Sequence, residues 1–107
     1  MVVAANPDAI AALYAEDGTY ADVGFPFEID GRTGIFTMVA NHLMTTTYTA
    51  VDPIDVTYTD TGAIVEWLWA GTYKDEPFSM NPSTTFEIED GLITRSTDSY
   101  DRSDAPW

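Results

Sequence analysis

The strongest secondary-structure signal in the sequence is the stretch Ala63-Ile64-Val65-Glu66-Trp67-Leu68-Trp69-Ala70-Gly71-Thr72-Tyr73. It is rich in aromatic and β-branched residues, which fit the pleated surface of a sheet. The segment Asp60-Thr61-Gly62 before it has the composition of a turn. A strand of this length and hydrophobicity is predicted to lie at the centre of a sheet.

The residues after this stretch predict two more strands. We expect one at about residues 79–89 and the other at 92–101, joined by a tight turn at Asp90-Gly91. Side chains alternate between the two faces of a strand. In the last strand, alternation therefore predicts one face with Ser96, Asp98 and Tyr100.

The residues before the central stretch predict two helices and two strands. Asn6-Pro7-Asp8 has the composition of a helix start, and Pro53 indicates an edge strand or a bulge. The predicted elements are a helix at about 7–15, a strand at 19–23, a helix at 32–44 and a strand at 45–59. Helices on one side of an antiparallel sheet define an α+β fold, and long strands twist, so we expect the sheet to curl around a pocket.

Composition excludes several classes of function. The 107 residues include 18 acidic and 4 basic side chains, a formal charge of -14. Nucleic acids and anionic membranes need basic contacts, so neither is expected as a partner. We interpret the acidity as a solvated surface suited to solubility or high salt, with a functional acidic patch as the alternative.

The residue inventory also limits cofactors and location. There is no cysteine and one histidine, which argues against a thiolate or multi-histidine metal site, and we expect neither metal nor cofactor. No apolar run approaches the length needed to span a bilayer. We therefore expect a soluble, cytoplasmic protein.

Four segments resemble the ketosteroid isomerase and SnoaL-like polyketide cyclase superfamily, which also contains nuclear transport factor 2 and limonene epoxide hydrolase. Their order and spacing carry the resemblance more than any one motif. They are Ala11-Ala12-Leu13-Tyr14-Ala15-Glu16-Asp17-Gly18-Thr19-Tyr20-Ala21-Asp22, Asp30-Gly31-Arg32-Thr33-Gly34-Ile35, Val65-Glu66-Trp67-Leu68-Trp69-Ala70-Gly71-Thr72, and the hairpin from Glu89-Asp90-Gly91-Leu92-Ile93 to Asp98-Ser99-Tyr100-Asp101.

The resemblance implies one SnoaL-like domain over residues 1–107. Its fold would be a cone-shaped, strongly curved antiparallel sheet wrapped around two or three helices and enclosing a pocket. The family also implies a homodimer. One departure is that the long first helix usual in the family has no counterpart ahead of Asn6.

Two aspartates are the leading candidates for acid-base chemistry. Asp22 matches the general base of ketosteroid isomerases, and burial near Phe25 and Phe27 would raise its pKa toward a useful range. The alternative is a carboxylate that caps the following loop. Asp98 matches a carboxylate functional in several relatives and could form an acid-base pair with Asp22, or it could be an exposed aspartate at a strand end.

The remaining candidates would form the pocket wall. His42 lies on the apolar face of the second helix, where we favour a satisfied core histidine over an acid or base. The tryptophans could hold a flat hydrophobic ligand or simply pack in the core. The wall residues predicted to contact substrate are Tyr20, Phe25, Val65, Trp67, Trp69, Thr84 and Tyr100.

Two departures restrict the reaction. The aspartate of the ketosteroid isomerase oxyanion hole is replaced by Asn81, Ser83 or Thr84, and the Arg and Asp pair of limonene epoxide hydrolases is absent from the stretch around Trp67. We therefore expect an enzyme of the SnoaL-like cyclase or isomerase type that moves protons on a small hydrophobic carbonyl compound. Tyr20 and Tyr100 would donate hydrogen bonds to the enolate. The alternative is a non-catalytic module for small-molecule binding or dimerisation.

Overall fold

The computed structural model describes residues 6–26 and 28–107 and gives bounds for each element. The helices are α1 (Pro7–Ala11) and α2 (Arg32–Leu43). The strands are β1 (Tyr14–Asp22), β2 (Ile29–Asp30), β3 (Thr46–Tyr58), β4 (Gly62–Tyr73), β5 (Glu76–Met80), β6 (Ser83–Glu89) and β7 (Leu92–Ser99). The predicted α+β class is confirmed, with a curved sheet and two helices in the described part of the chain.

The strands of the described residues form one sheet in the order β2-β1-β7-β6-β4-β3, with β5 paired to β4. Strand β4 pairs with β3, β5 and β6, so its predicted central position is confirmed. Neighbours are antiparallel except β1 and β7, which run parallel. The sheet is therefore mostly antiparallel, as expected, and the parallel pair joins strands far apart in the chain, which no hairpin connects.

The first helix is shorter than predicted. It ends at Ala11 rather than at residue 15, and Tyr14 begins β1 opposite Ile93 of β7. The Tyr14 hydroxyl lies 2.6 Å from the Ser96 Oγ in a buried hydrogen bond. Pairing with β7 therefore outweighs the local helical preference.

The strand predicted at 79–89 is two strands. Asn81 and Pro82 separate β5 from β6, because proline has no N–H to donate to a ladder. The Pro82 carbonyl instead accepts from the Trp67 N–H at 2.9 Å. This break lets β5 and β6 pair with different halves of β4. Pro53 was expected to mark an edge strand or a bulge, and both hold: β3 lies at one end of the strand order, and its register shifts between Pro53 and Asp55.

Strand register lines up the side chains that form the site. Val65 of β4 lies opposite Thr84 of β6, Thr84 lies opposite Asp98 of β7, and Asp98 lies opposite Asp22 of β1. Directly paired residues project to the same face of a sheet. One row across four strands therefore brings both aspartates and Thr84 together.

Helix α2 covers this face and is fixed at its first residue. The Arg32 guanidinium donates two hydrogen bonds to the Tyr14 carbonyl, at 3.1 and 2.6 Å. Gly31 before it has φ of 86°, a conformation that glycine adopts without steric cost. Ile35 of α2 is fully buried. Among the described residues, no helix has the length and apolarity needed to cross a membrane.

Candidate functional site

A cavity of about 1440 Å³ lies between the helices and the concave face of the sheet. Helix α1 contributes Ile10, and α2 contributes both apolar and polar side chains. Strands β1, β6 and β7 contribute the carboxyl and hydroxyl groups of Asp22, Thr84 and Asp98. The predicted site residues that line it are Asp22, Asp98, His42, Tyr20, Phe25, Trp67, Trp69, Thr84 and Tyr100.

Three hydrogen bonds hold Asp22 at the end of β1. Its Oδ1 accepts from the Gly24 N–H at 2.7 Å and from the Tyr100 hydroxyl at 2.6 Å. Its Oδ2 accepts from the Tyr20 hydroxyl at 2.8 Å. The loop-capping interpretation is confirmed by the Gly24 bond, although the side chain also lines the cavity. Because each carboxylate oxygen carries two lone pairs, Oδ2 keeps one for a further donor.

Asp98 is buried in β7, with 7% of its surface exposed, so the interpretation as an exposed aspartate was wrong. Its Oδ1 accepts from the Thr84 hydroxyl at 2.6 Å, and its Oδ2 lies 2.7 Å from the Tyr20 hydroxyl. Burial raises the pKa of Asp98 from 3.8 to about 6, against the lowering effect of the hydrogen bonds from Thr84 and Tyr20. The charge of Asp22 adds to the rise.

Tyr20 bridges the two aspartates. Its hydroxyl contacts the Oδ2 atoms of both Asp22 and Asp98. Burial, followed by the charges of the two carboxyl groups, raises the pKa of Tyr20 far above its ordinary value of 10.0. The phenol therefore keeps its proton at neutral pH.

The hydroxyls of Tyr20 and Tyr100 both point at carboxyl groups rather than into open space. Burial and the hydrogen bond to Asp22 raise the pKa of Tyr100 to about 12. Donation to an enolate by either phenol would require it to leave its carboxyl partner.

His42 faces the cavity and also has a partner. Its Nε2 lies 2.6 Å from the Tyr48 hydroxyl. Burial lowers the pKa of His42 below 6.5, and the charge of Asp22 opposes this effect. The ring is thus mainly neutral at pH 7, and the core-histidine and cavity-lining interpretations both describe its position.

Aromatic rings close the cavity beside His42. Trp107 makes edge contacts with His42, Phe78 and Tyr100, at centroid distances of 4.9, 5.5 and 6.4 Å. Tyr48 makes a similar contact with Trp69 at 6.1 Å. Sequence reasoning missed Tyr48 and Trp107. The alternation of β3 could have indicated Tyr48, but Trp107 lies in a segment with no periodic pattern.

Three predicted wall residues, Val65, Phe25 and Trp69, differ in how they lie relative to the cavity. Val65 is buried between its cross-strand neighbours and is a core side chain rather than a lining residue, which corrects its assignment to substrate contact. Phe25 lines the cavity but is 40% exposed, and Phe27 lies outside the described residues. Trp69 lines the cavity with a buried Nε1 that has no hydrogen-bond partner among the described residues.

The charge pattern of the cavity is anionic. Asp22 and Asp98 lie at its polar end, and Arg102 is the basic residue among its lining side chains. Within residues 6–26 and 28–107 there is no group of three or more His, Asp or Glu side chains placed to hold a metal ion. The polar end can therefore accept protons and hydrogen bonds more readily than it can bind an anion.

Comparisons with known proteins show the family and the fold. The model of the SnoaL-like domain family matches residues 1–96. A search of curated proteins finds no match to the chain.

Several solved structures share the fold. A protein with a ketosteroid isomerase-like fold from Catenulispora acidiphila, in complex with trimethylamine, has a TM-score of 0.87 and 24% identity, over 96% of this chain and 82% of its own. An LEH-like epoxide hydrolase from M. tuberculosis has a TM-score of 0.77 and 22% identity, over 92% and 72%. A candidate polyketide cyclase from Xanthomonas campestris has a TM-score of 0.77 and 20% identity, over 92% and 81%.

Proposed function

This chain belongs to the SnoaL-like domain family, and we propose that it is an enzyme that transfers protons without a cofactor. The proposed substrate is a small hydrophobic carbonyl compound, and the reaction is of the cyclase, isomerase or dehydratase type. Asp22 is the base, Asp98 or His42 is its partner, and the tryptophans pack the substrate.

The observation that carries this proposal is the pairing of two unlike carboxyl groups in one cavity. Asp22 has three donors and a free lone pair on Oδ2, whereas Asp98 is buried and its pKa is raised to about 6. Two carboxyl groups whose environments differ in this way are suited to act as base and acid.

The reaction step follows from this division. Asp22 Oδ2 accepts a proton from the carbon next to the carbonyl, the C–H bond breaks, and its electron pair forms the enolate. The protonated Asp22 then returns the proton to another atom of the substrate. The aromatic side chains Tyr48, Trp67 and Trp69 line the same cavity, and an apolar wall of this kind strengthens the electrostatic interactions of the carboxylate.

Solvent deuterium exchange tests this function. Purified protein in D₂O is incubated with hydrophobic cyclic and aryl ketones, and loss of the α-proton signal is followed by proton NMR. We expect exchange by the wild type and a fall of about 10²–10⁴-fold in Asp22→Asn, since a positioned base contributes about this factor. Asp60→Asn removes a carboxylate from an exposed loop and should exchange like the wild type. Equal rates in Asp22→Asn and the wild type would refute Asp22 as the base.

A second candidate function is binding of a small ligand without turnover. The observation that favours it is an aromatic, anionic cavity whose phenol and threonine hydroxyls are already engaged with carboxyl groups. Aromatic faces with a carboxylate attract alkylated ammonium ions, and the similar Catenulispora protein is in complex with trimethylamine. Calorimetry with trimethylammonium, together with no exchange on any ketone, would favour this function over catalysis.

We also propose a homodimer, following the resemblance, and a cytoplasmic location. The side chains of Ile54, Val56 and Tyr58 are exposed on β3 and could form part of the contact. Sedimentation at several protein concentrations checks the assembly state, and a monomer at all of them would refute the dimer.

A further inference from the structure

The hydrogen bonds around Tyr20 present a problem of proton count. A phenol has one proton, yet the Tyr20 hydroxyl lies within 2.8 Å of Asp22 Oδ2 and 2.7 Å of Asp98 Oδ2. If both carboxyl groups were ionised, one of these contacts would oppose two lone pairs with no hydrogen between them. A second proton in the trio of Asp22, Tyr20 and Asp98 makes both contacts hydrogen bonds.

Two indole groups at the ends of the network fix the direction of its bonds. An indole N–H can only donate. Trp67 Nε1 donates to Thr84 at 3.0 Å, so the Thr84 hydrogen is directed to Asp98 Oδ1. Trp107 Nε1 lies 3.4 Å from the Tyr100 hydroxyl, whose hydrogen is in turn directed to Asp22 Oδ1. Both Oδ1 atoms are therefore acceptors, and the second proton belongs on an Oδ2 atom next to Tyr20.

The surroundings of the two aspartates decide which Oδ2 holds the proton. Asp22 Oδ1 accepts two hydrogen bonds, from Gly24 and Tyr100, so it has more donors than Asp98 Oδ1. Asp98 Oδ1 accepts one, from Thr84, and its side chain is more deeply buried. Burial disfavours the charged form, so Asp98 is the better site for the proton.

We propose that Asp22, Tyr20 and Asp98 share one proton beyond that of the phenol, bound at Asp98 Oδ2, and that Tyr20 carries it between the two carboxyl groups. In the transfer, the O–H bond of Asp98 breaks as one forms at Tyr20, and the original O–H bond of Tyr20 breaks as one forms at Asp22. The charge moves from Asp22 to Asp98, and Tyr20 is unchanged. The catalytic meaning of this transfer rests on the proposed function, but the shared proton does not.

Few other ionisable groups face the trio. Tyr14 of β1, Tyr48 of β3 and Tyr100 after β7 are phenols whose pKa values burial raises, so they stay protonated. His42 of α2 has a lowered pKa, and Arg102 lines the same cavity. An imidazole has no carboxyl vibration, so titration of His42 cannot be mistaken for that of Asp98.

Infrared difference spectroscopy of the ligand-free protein tests the proposal. We expect a carboxylic-acid C=O band at about pH 5 that is lost by about pH 8, on either side of the Asp98 pKa of about 6. The band should be absent in Asp98→Asn and unchanged in the exposed control Asp60→Asn. In Tyr20→Phe it should move to higher frequency, because the acid loses its acceptor. A band that persists in Asp98→Asn, or does not move in Tyr20→Phe, would overturn the proposal.

A second variant keeps the test valid if Asp98→Asn does not fold. In Asp22→Asn the Tyr20 proton can turn to Asp98, so the extra proton is no longer needed and the band should titrate at lower pH. An unchanged titration midpoint would contradict the shared proton. The spectra require no substrate. If Asp22→Asn loses ketone exchange but the wild type shows no carboxylic-acid band, the proposed function is supported and the shared proton is refuted. If the wild type shows the band but exchanges no ketone, the shared proton is supported and the proposed function is refuted.

Discussion

Replacing Asp98 by Asn should make the protein more stable at neutral pH. The asparagine amide has the shape of the protonated aspartate, and it can donate to Tyr20 while accepting from Thr84, the two partners of Asp98. It cannot ionise. The variant therefore avoids the free energy that the wild type loses when a buried carboxyl group becomes charged.

The size of this effect follows from the pKa of Asp98. The rise from 3.8 to about 6 is about two pKa units, which corresponds to about 3 kcal/mol of unfolding free energy. The folded state holds the proton to a higher pH than the unfolded state does. This contribution is therefore complete below about pH 4, declines as the pH rises through about 6, and is absent at neutral pH.

Urea unfolding followed by tryptophan fluorescence measures the difference. We expect the free energies of Asp98→Asn and the wild type to diverge by about 3 kcal/mol between about pH 4 and about pH 7, with the variant more stable at the upper end. The lowered pKa of His42 works in the opposite direction but is common to both proteins. Asp60→Asn removes an exposed charge, and its free energy of unfolding should change with pH in the same way as that of the wild type. If the free energy of unfolding of Asp98→Asn also follows that of the wild type at every pH, burial does not raise the pKa of Asp98 and the argument is refuted.

Two other substitutions test the walls of the site. A Cβ at Gly24 would lie 2.5 Å from the Tyr100 hydroxyl, so Gly24→Ala should displace that phenol and lower the rate of ketone exchange about tenfold or more. Tyr100→Phe should lower the rate by a similar factor. A wild-type rate in both variants would show that the hydrogen bond from Tyr100 to Asp22 is dispensable. Trp107→Ala removes edge contacts to four rings and should lower the unfolding free energy by about 2 kcal/mol, measured by thermal denaturation. An unchanged melting temperature would mean that the Trp107 ring does not pack as described.

Local composition was sufficient to predict the central strand and the last turn. Strand β4 spans Gly62–Tyr73, within one residue of its predicted start. Asp90 and Gly91 both have positive φ, 53° and 81°, as expected for a tight hairpin turn. These features depend on residues that are adjacent in sequence, and neither β-branched strands nor aspartate-glycine turns need distant partners to be identified.

Pairing between distant segments could not be predicted in the same way. Alternation along β7 put Ser96 and Asp98 on one face, but which β1 residues lie opposite depends on the parallel register of these two strands. That register brings the Tyr20 hydroxyl between two carboxyl groups. The position of Trp107 also could not be predicted from the sequence, because it depends on the path of an irregular segment rather than on a periodic pattern.

The most direct test of the division between base and acid is the pH dependence of ketone exchange in the wild type and in Asp98→Asn. If protonated Asp98 is the acid, kcat/KM of the wild type should fall as the pH rises through about 6. Asp98→Asn keeps the hydrogen-bonding shape but cannot titrate, so this fall should be absent, whereas His42→Gln should retain it. A wild-type rate that stays level to about pH 8, or the same fall in Asp98→Asn, would contradict the pairing of Asp22 and Asp98 as base and acid.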